Sequence, residues 1–261
     1  MLIAQYFYKP SLWLLLLIAC FHQPVNAKHI IAVAELSGLF QHAANNEEQG
    51  VYHALLTKAL EDTELNKKYI IEIMPMKRAK LEFLKDRVAC YAPGEDTFDG
   101  SEGIALPNNI LRSTPYNKAL IKVLSNSPER IISNLGHIDD NDIVSIVRGV
   151  PSSRELDRIK EKAKIVIEVN SEMESLQLLL LGRVDLILAF YPDITFAYKE
   201  LNIHSHLPYS DSYSPVEIND NIICHPRYKK DFDKINKKIA EYLQNGEMKI
   251  LLNDYFMRSW Y

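Results

Sequence analysis

The chain has 261 residues, with 30 basic and 34 acidic side chains and a formal net charge of −4. It contains no run of basic residues and no basic-aromatic patch, which excludes the electrostatic footprint of a nucleic-acid-binding protein. This length suits two modest domains or one large domain, each able to bury a hydrophobic core.

The first 27 residues have the pattern of a secretory signal peptide. Lys9 precedes an apolar core, Leu12 to Cys20, and a small-residue cleavage motif ends at Ala27. The apolar run is too short to span a membrane, which takes about 20 residues. The segment LIAC, ending at Cys20, also resembles a bacterial lipoprotein box, in which Cys20 would carry a lipid. We expect export to the periplasm with cleavage after Ala27, because a strand-like segment begins almost at once.

Strand-like and helix-like segments alternate along the rest of the chain. The strand HIIAVAE is followed by the helix EQGVYHALLTKALEDT, in which Val51, Leu55 and Leu60 fall on one face. The later strands are YIIEIMP, VACYAP, NKALIKVLS, DIVSIVRG, KIVIEV, RVDLILAFY and NIICH, and the helices between them are KRAKLEFLKD, SSRELDRIKEKA, SEMESLQLLLLG and PDITFAYKELN, with two more at the C-terminus. This alternation indicates βαβ units and mostly parallel sheets.

Local signals place two helix ends. Ser152 or Ser153 is suited to cap the start of SSRELDRIKEKA, with acidic residues close behind. Gly182 is suited to end the helix SEMESLQLLLLG. Asp185 then falls at the start of the next strand, where we expect a structural role.

Two cysteines follow the signal peptide, Cys90 and Cys224, each in an apolar strand-like run. We expect a pair of buried thiols, although export would allow a disulfide. No CxxC, HExxH or clustered Cys/His spacing occurs, and the acidic loop Gly94–Gly103 lacks the spacing of a calcium loop. We therefore expect no metal site and no cofactor.

The order of several segments resembles the periplasmic solute-binding proteins of the polar-amino-acid type, family three. These segments are MPMKRAKLEFLKDRVACYAPG, STPYNKALIKVL, DIVSIVRGVPSSREL, SEMESLQLLLLGRVDLIL and NIICHPRYKKDFDKINKKIAEYLQNGEMKILLNDYF. The resemblance implies an α/β, two-lobed periplasmic-binding-protein-like (type II) fold, with lobe one at residues 28–112 plus 216–261 and lobe two at 113–215. It also implies capture of a small polar solute in an interlobe cleft, by hinge closure.

The implied partner is an inner-membrane permease of an ABC-type importer. The alternative is a membrane sensor protein that reads ligand closure, and we expect a monomer in either case. A periplasmic enzyme on the same scaffold is the less favoured reading. The histidines are scattered and no nucleophile–base context accompanies them, so we expect no catalytic activity.

The sequence departs from the family where ligand chemistry is decided. Amino-acid binders carry an Arg several residues before the S-x-P-Y segment, but here the nearest, Arg112, abuts Ser113. They also place an Asp five residues after the Asp of the GrvD segment, a position held here by Phe190. Both anchors for a zwitterion are absent from those positions. Three arginines, Arg78, Arg112 and Arg148, suggest a ligand with an anionic group plus an aromatic or apolar part.

Candidate ligand-binding residues are those that follow strands or begin helices, since ligands of open α/β sheets lie at strand carboxyl ends. Arg78 and the pair Arg148–Gly149 are candidates for an anion, against the alternative of a solvated helix end or a simple turn. Glu35 could meet a cation, and Ser171 is either a helix cap or a ligand contact. The aromatic candidates are Tyr91, Phe190 and Tyr191, for which ordinary core packing is the alternative, and Tyr116 at the crossover, as hinge or cleft floor.

Overall fold

The structure is a computed structural model that describes residues 27–36, 38–41, 49–98, 103–205 and 207–255. The predicted signal peptide, except Ala27, and the lipidation candidate Cys20 lie outside the described residues. The strands are β1 (His29–Ala34), β2 (Tyr69–Met74), β3 (Cys90–Ala92), β4 (Leu111–Arg112), β5 (Asn117–Ser125), β6 (Ile143–Val147), β7 (Ile165–Val169), β8 (Leu186–Tyr191), β9 (Glu217–Asp220) and β10 (Ile223–Cys224). The α-helices are α1 (Val51–Asp62), α2 (Met76–Leu84), α3 (Arg154–Lys162), α4 (Glu172–Leu180), α5 (Ile194–Glu200), α6 (Lys229–Gln244) and α7 (Glu247–Leu252).

The strands form two separate five-stranded sheets, one in each lobe. The first sheet has the order β2-β1-β3-β10-β4 and the second the order β7-β6-β8-β5-β9. Both are mixed rather than mostly parallel, because β5 and β10 pair antiparallel with their neighbours. These two strands adjoin the points where the chain crosses between the lobes.

Each sheet is covered on both faces, which explains the uninterrupted apolar runs in its central strands. In β1, Ile31 and Val33 pack into one hydrophobic cluster, while Ala32 and Ala34 pack into another on the opposite face. In β8, Leu186 and Leu188 lie on one face, and Ile187 and Ala189 lie on the other. The period of two is therefore preserved although both faces are apolar.

The chain crosses between the lobes through two crossing segments, residues 113–116 and 220–222, which lie side by side. The amide of Ser113 donates to the carbonyl of Ile222 (2.9 Å), and the amide of Tyr116 donates to the carbonyl of Asp220 (2.9 Å). The predicted lobe boundaries have the chain return to lobe one at residue 216. In the structure β9 pairs with β5, so the return falls after Asp220.

The predicted helix ends are observed. Ser153 caps α3 by accepting a hydrogen bond from the amide of Leu156 (3.0 Å). Gly182, with φ of 63°, follows α4, and the amides of Gly182 and Arg183 donate to the carbonyls of Leu179 and Leu178. This is the Schellman arrangement, in which glycine supplies the left-handed residue. Asp185 accepts from the amide of Ile143 (2.8 Å), a structural role.

The expectation of two buried thiols is wrong. Cys90 of β3 and Cys224 of β10 are directly opposite each other in the first sheet and are joined by a disulfide. The bond links positions that are 134 residues apart. It ties the first part of lobe one to the segment that returns from lobe two. Within the described ranges, the helices are all too short or too polar to traverse a bilayer.

Candidate functional site

The two lobes meet across a narrow gap, the interlobe gap, which lies at the carboxyl ends of the strands. Its cavity volume is about 20 Å³, which is room for about one water molecule. Lobe one supplies Leu36, Leu39, Met76, Pro93 and Thr97, and lobe two supplies Ala119, Pro151, Phe190, Asp193, Ile218 and Asp220. This is the location at which open α/β sheets bind ligands.

Asp193 is one of the polar residues that line this gap. It directly precedes α5, but its side chain does not cap the helix. The residue is 7% exposed, and its Oδ1 has no hydrogen-bond partner among the described residues. Burial raises the pKa of Asp193 to about 7. The carboxyl group is therefore available to a group that enters the gap.

Asp220 lines the gap from the end of β9 and is 3% exposed. Its Oδ2 accepts a hydrogen bond from the hydroxyl of Tyr52 in α1, across the lobe boundary. Asn117 in turn donates to the Tyr52 hydroxyl (2.7 Å). Burial, and to a smaller degree the charges of Asp193 and Asp96, raise the pKa of Asp220 to about 8, although the Tyr52 hydrogen bond opposes this shift.

Glu172, the first residue of α4, lies behind the gap. Its Oε1 accepts from the amide of Phe190 (2.9 Å), whereas Oε2 has no partner among the described residues. Burial, opposed by that hydrogen bond, raises the pKa of Glu172 to about 8, and the charge of Asp193 adds to the increase. The charge of Asp193 thus raises the pKa of both Glu172 and Asp220.

The chemistry of the interlobe gap is acidic and apolar. Across the described ranges, its lining includes no Lys, Arg or His. Thr97 is the lining hydroxyl, and it already donates to the carbonyl of Gly94 (2.7 Å). Within the same ranges no group of three His, Cys, Asp or Glu side chains is placed to hold a metal ion. The lining therefore fits a group with positive charge or hydrogen-bond donors.

A second and larger cavity, the outer cavity, also lies between the lobes and has a volume of about 740 Å³. Of the residues on either side of Pro192, some line the interlobe gap and others line the outer cavity. Phe190 and Asp193 line the interlobe gap, and Tyr191, Thr195 and Phe196 line the outer cavity. Lobe one supplies Gly38, Gln41, Gly50, Val51, Asn253 and Tyr255 to the outer cavity.

Of the nine candidate residues, two line these spaces: Phe190 the gap and Tyr191 the outer cavity. Tyr91 and Tyr116 are fully buried in the core of lobe one. The Tyr91 hydroxyl is bonded to Thr97 Oγ1 (2.9 Å), one step behind the gap lining. Tyr116 packs edge-on against Tyr52, with ring centroids 5.1 Å apart.

The polar candidates lie outside both spaces. Glu35, Arg78, Arg148 and Gly149 are exposed, and neither lining includes them. Arg148 contacts Glu168, with Nε 3.5 Å from the carboxylate. Ser171 caps α4 by accepting from the amide of Glu174 (3.2 Å).

The arginines on which an anionic ligand was expected do not converge on the interlobe gap. Arg78 and Arg148 are solvent-exposed, and Arg112 pairs with Glu95 (2.6 Å). The gap instead presents Asp193 and Asp220, which sequence reasoning missed. The available signal was position, because Asp193 is the first acid after β8 and Asp220 directly precedes the segment NIIC.

The architecture is the two-lobed fold of the periplasmic binding proteins. No protein-family model and no curated protein matches the sequence. Among solved structures, the ligand-binding core of GluR0 in complex with L-glutamate is similar, with a TM-score of 0.64 and 13% identity, over 88% of this chain and 98% of that chain.

Two further structures show the same fold. The substrate-binding protein of an amino acid ABC transporter has a TM-score of 0.62 and 17% identity, over 87% of this chain and 99% of that one. An arginine transport-system periplasmic binding protein from Legionella pneumophila has a TM-score of 0.60 and 15% identity, over 88% and 99%. The neighbours are thus amino-acid-binding proteins, and their likeness establishes the fold of this chain.

Proposed function

We propose that the protein is an exported solute-binding protein that captures a small polar ligand between its lobes and delivers it to an ABC-type importer in the membrane. The observation that carries this proposal is Asp193, a buried carboxyl group with an unpartnered oxygen in a gap lined by both lobes. Burying a polar group without a partner costs about 1–3 kcal/mol. A ligand that supplies the missing partner offsets that cost.

Capture requires the lobes to move apart. A gap of about 20 Å³ is too small for a solute. The crossing segments are the natural hinge, because the two chain crossings between the sheets lie there side by side. Opening about this axis would separate Leu36, Met76 and Pro93 from Phe190 and Asp193. The ligand would then be held by non-covalent contacts on both sides.

The proposal is tested by a thermal-shift screen of residues 28–261 against amino acids, amines, organic acids, sugars and nucleosides. A ligand at 100 times its dissociation constant adds about 2.7 kcal/mol to stability. Mass spectrometry of the recovered ligand should show it unchanged, as capture without chemistry requires. A folded protein that responds to no compound would contradict solute capture and favour a partner-dependent sensory role.

A substitution that fills the interlobe gap tests whether the ligand binds there. Ala119 lines it, so Ala119→Met should weaken binding of any hit at least about tenfold by steric exclusion. Ala163→Met, at the end of α3 and outside the gap lining, is the matched control. Equal affinities in the two variants would move the binding site away from the interlobe gap.

A further inference from the structure

The interlobe gap has a charge pattern that distinguishes between classes of ligand. Two of its lining residues are carboxylic acids, Asp193 and Asp220, and both are more than nine-tenths buried. Asp220 already has a donor in Tyr52, but Asp193 Oδ1 has no partner within the described parts of the chain. The position open for a ligand group is therefore next to Asp193.

An α-amino acid would bring its own carboxylate into this space. Buried carboxylates require cationic or strong hydrogen-bond donors, because an unpaired buried charge is very unfavourable. The described lining offers neither Lys, Arg nor His, and its hydroxyl group, that of Thr97, donates to a main-chain carbonyl. In their ionised forms Asp193 and Asp220 would also repel a third carboxylate.

An organic cation supplies hydrogen-bond donors and brings no carboxylate into the gap. Its ammonium or guanidinium group supplies the donors that Asp193 lacks and favours the ionised form of both carboxyl groups, whose pKa burial raises. Its carbon skeleton can pack on the apolar lining formed by Leu36, Met76 and Phe190.

We propose that the ligand is a small amine or guanidine without a carboxylate, with its cationic group seated on Asp193 and Asp220 in the interlobe gap. This inference rests on the proposed function and names the ligand class for the same site. Glu172 accepts a hydrogen bond from the amide of Phe190, three residues before Asp193.

The experiment compares amines with their parent amino acids, using the chain from residue 28 and isothermal titration calorimetry. The pairs are agmatine and arginine, putrescine and ornithine, and cadaverine and lysine. Each pair differs by one carboxylate, so body size and the terminal cation are matched. We expect at least one amine to bind at least tenfold more tightly than its parent.

A variant locates the cationic group. Asp193→Asn keeps the shape but removes the charge, and loss of a charge-assisted hydrogen bond should weaken amine binding by about tenfold to a hundredfold. Asp140→Asn, at an exposed loop position, is the control and should bind as the unaltered protein does. Thermal unfolding of both variants without ligand verifies that they fold.

The outcomes separate this inference from the proposed function. An amino acid that binds as well as its amine, or an organic acid that binds instead, would overturn the cation assignment and leave solute capture standing. An amine whose affinity is unchanged by Asp193→Asn would overturn the assigned position. If no compound of any class binds the folded protein, both proposals fail. The wild-type comparison holds even if Asp193→Asn does not fold.

Discussion

The hydroxyl group of Tyr52 in lobe one donates a hydrogen bond to Asp220, the last residue of a lobe-two strand. The donor lies in α1 and the acceptor is the first residue of the second crossing segment. Asn117, the first residue of β5, completes the chain of hydrogen bonds by donating to the Tyr52 hydroxyl. A buried polar connection therefore joins the lobes at the crossing segments.

Removing this hydroxyl should destabilise the protein. Tyr52→Phe leaves a buried oxygen of Asp220 without its donor, at an expected cost of about 1–3 kcal/mol in urea unfolding. The neighbouring Tyr116 provides the control, since its buried hydroxyl has no partner among the described residues. Tyr116→Phe should change stability by less than about 0.5 kcal/mol or increase it. Equal losses in both variants would contradict a specific stabilising role for the Tyr52–Asp220 hydrogen bond.

The buried Glu172 should make stability decrease with rising pH. Its folded-state pKa is about 8, and its ordinary value is 4.5, so between these values the native state holds a proton that the unfolded state releases. The stabilising contribution of Glu172 is fully present below pH 4.5 and is lost as the pH rises towards 8. The free energy of unfolding then falls by at most about 1.4 kcal/mol per pH unit.

Glu172→Gln isolates this contribution. The amide still accepts from Phe190 but cannot ionise, so its stability advantage over the wild type should grow between pH 5 and pH 8. Urea unfolding at several pH values measures it, and Glu161→Gln, exposed in α3, controls for the loss of one acidic charge. A difference that does not vary with pH would contradict the assigned ionisation. The raised pKa values of Asp193 and Asp220 also lower stability as the pH rises. The Glu172→Gln variant should therefore retain part of the pH dependence of stability.

The disulfide should account for a substantial part of stability. Replacing Cys90 and Cys224 by Ala removes a cross-link between positions 134 residues apart, with an expected cost of about 2–5 kcal/mol. Unfolding with and without a reductant measures the effect. The reductant should destabilise the wild type and leave the double variant unchanged. A reductant-insensitive wild type, with free thiols found by titration, would contradict the bond.

Two glycines with positive φ should respond differently to a methyl group. At Gly182 an added Cβ meets no atom within 4 Å, so Gly182→Ala costs only the left-handed backbone, about 1–2 kcal/mol. At Gly94, with φ of 120°, the same methyl would overlap the side-chain oxygen of Asn221 in a crossing segment. Gly94→Ala should therefore cost clearly more in chemical denaturation. Equal costs would mean that Asn221 moves away freely.

Much of the fold could be predicted from the sequence because its signals are local. The cap at Ser153 and the turn at Gly182 depend on residues within one helical turn, and the alternation of strands and helices depends on periodicity. By contrast, β4 and β9 escaped prediction. They are two and four residues long, and their pairing depends on partners far along the chain.

The candidate site was predicted less well, since it depends on which side chains the folded lobes bury. The charges of Arg78 and Arg148 were visible in the sequence, but the structure leaves both exposed. The cysteine pairing likewise depends on the strand register that sets Cys90 opposite Cys224. Asp193 became a candidate only when its burial and its unpartnered oxygen were seen. A tertiary environment decides these properties, and local sequence does not encode it.

The side-by-side crossing segments make lobe two an insertion within lobe one. Its two ends, at Ser113 and Ile222, are joined by a main-chain hydrogen bond of 2.9 Å. Adjacent ends are the condition under which one domain can be inserted into another without disturbing it. An exchange of lobe two at these ends would keep lobe one and its disulfide intact.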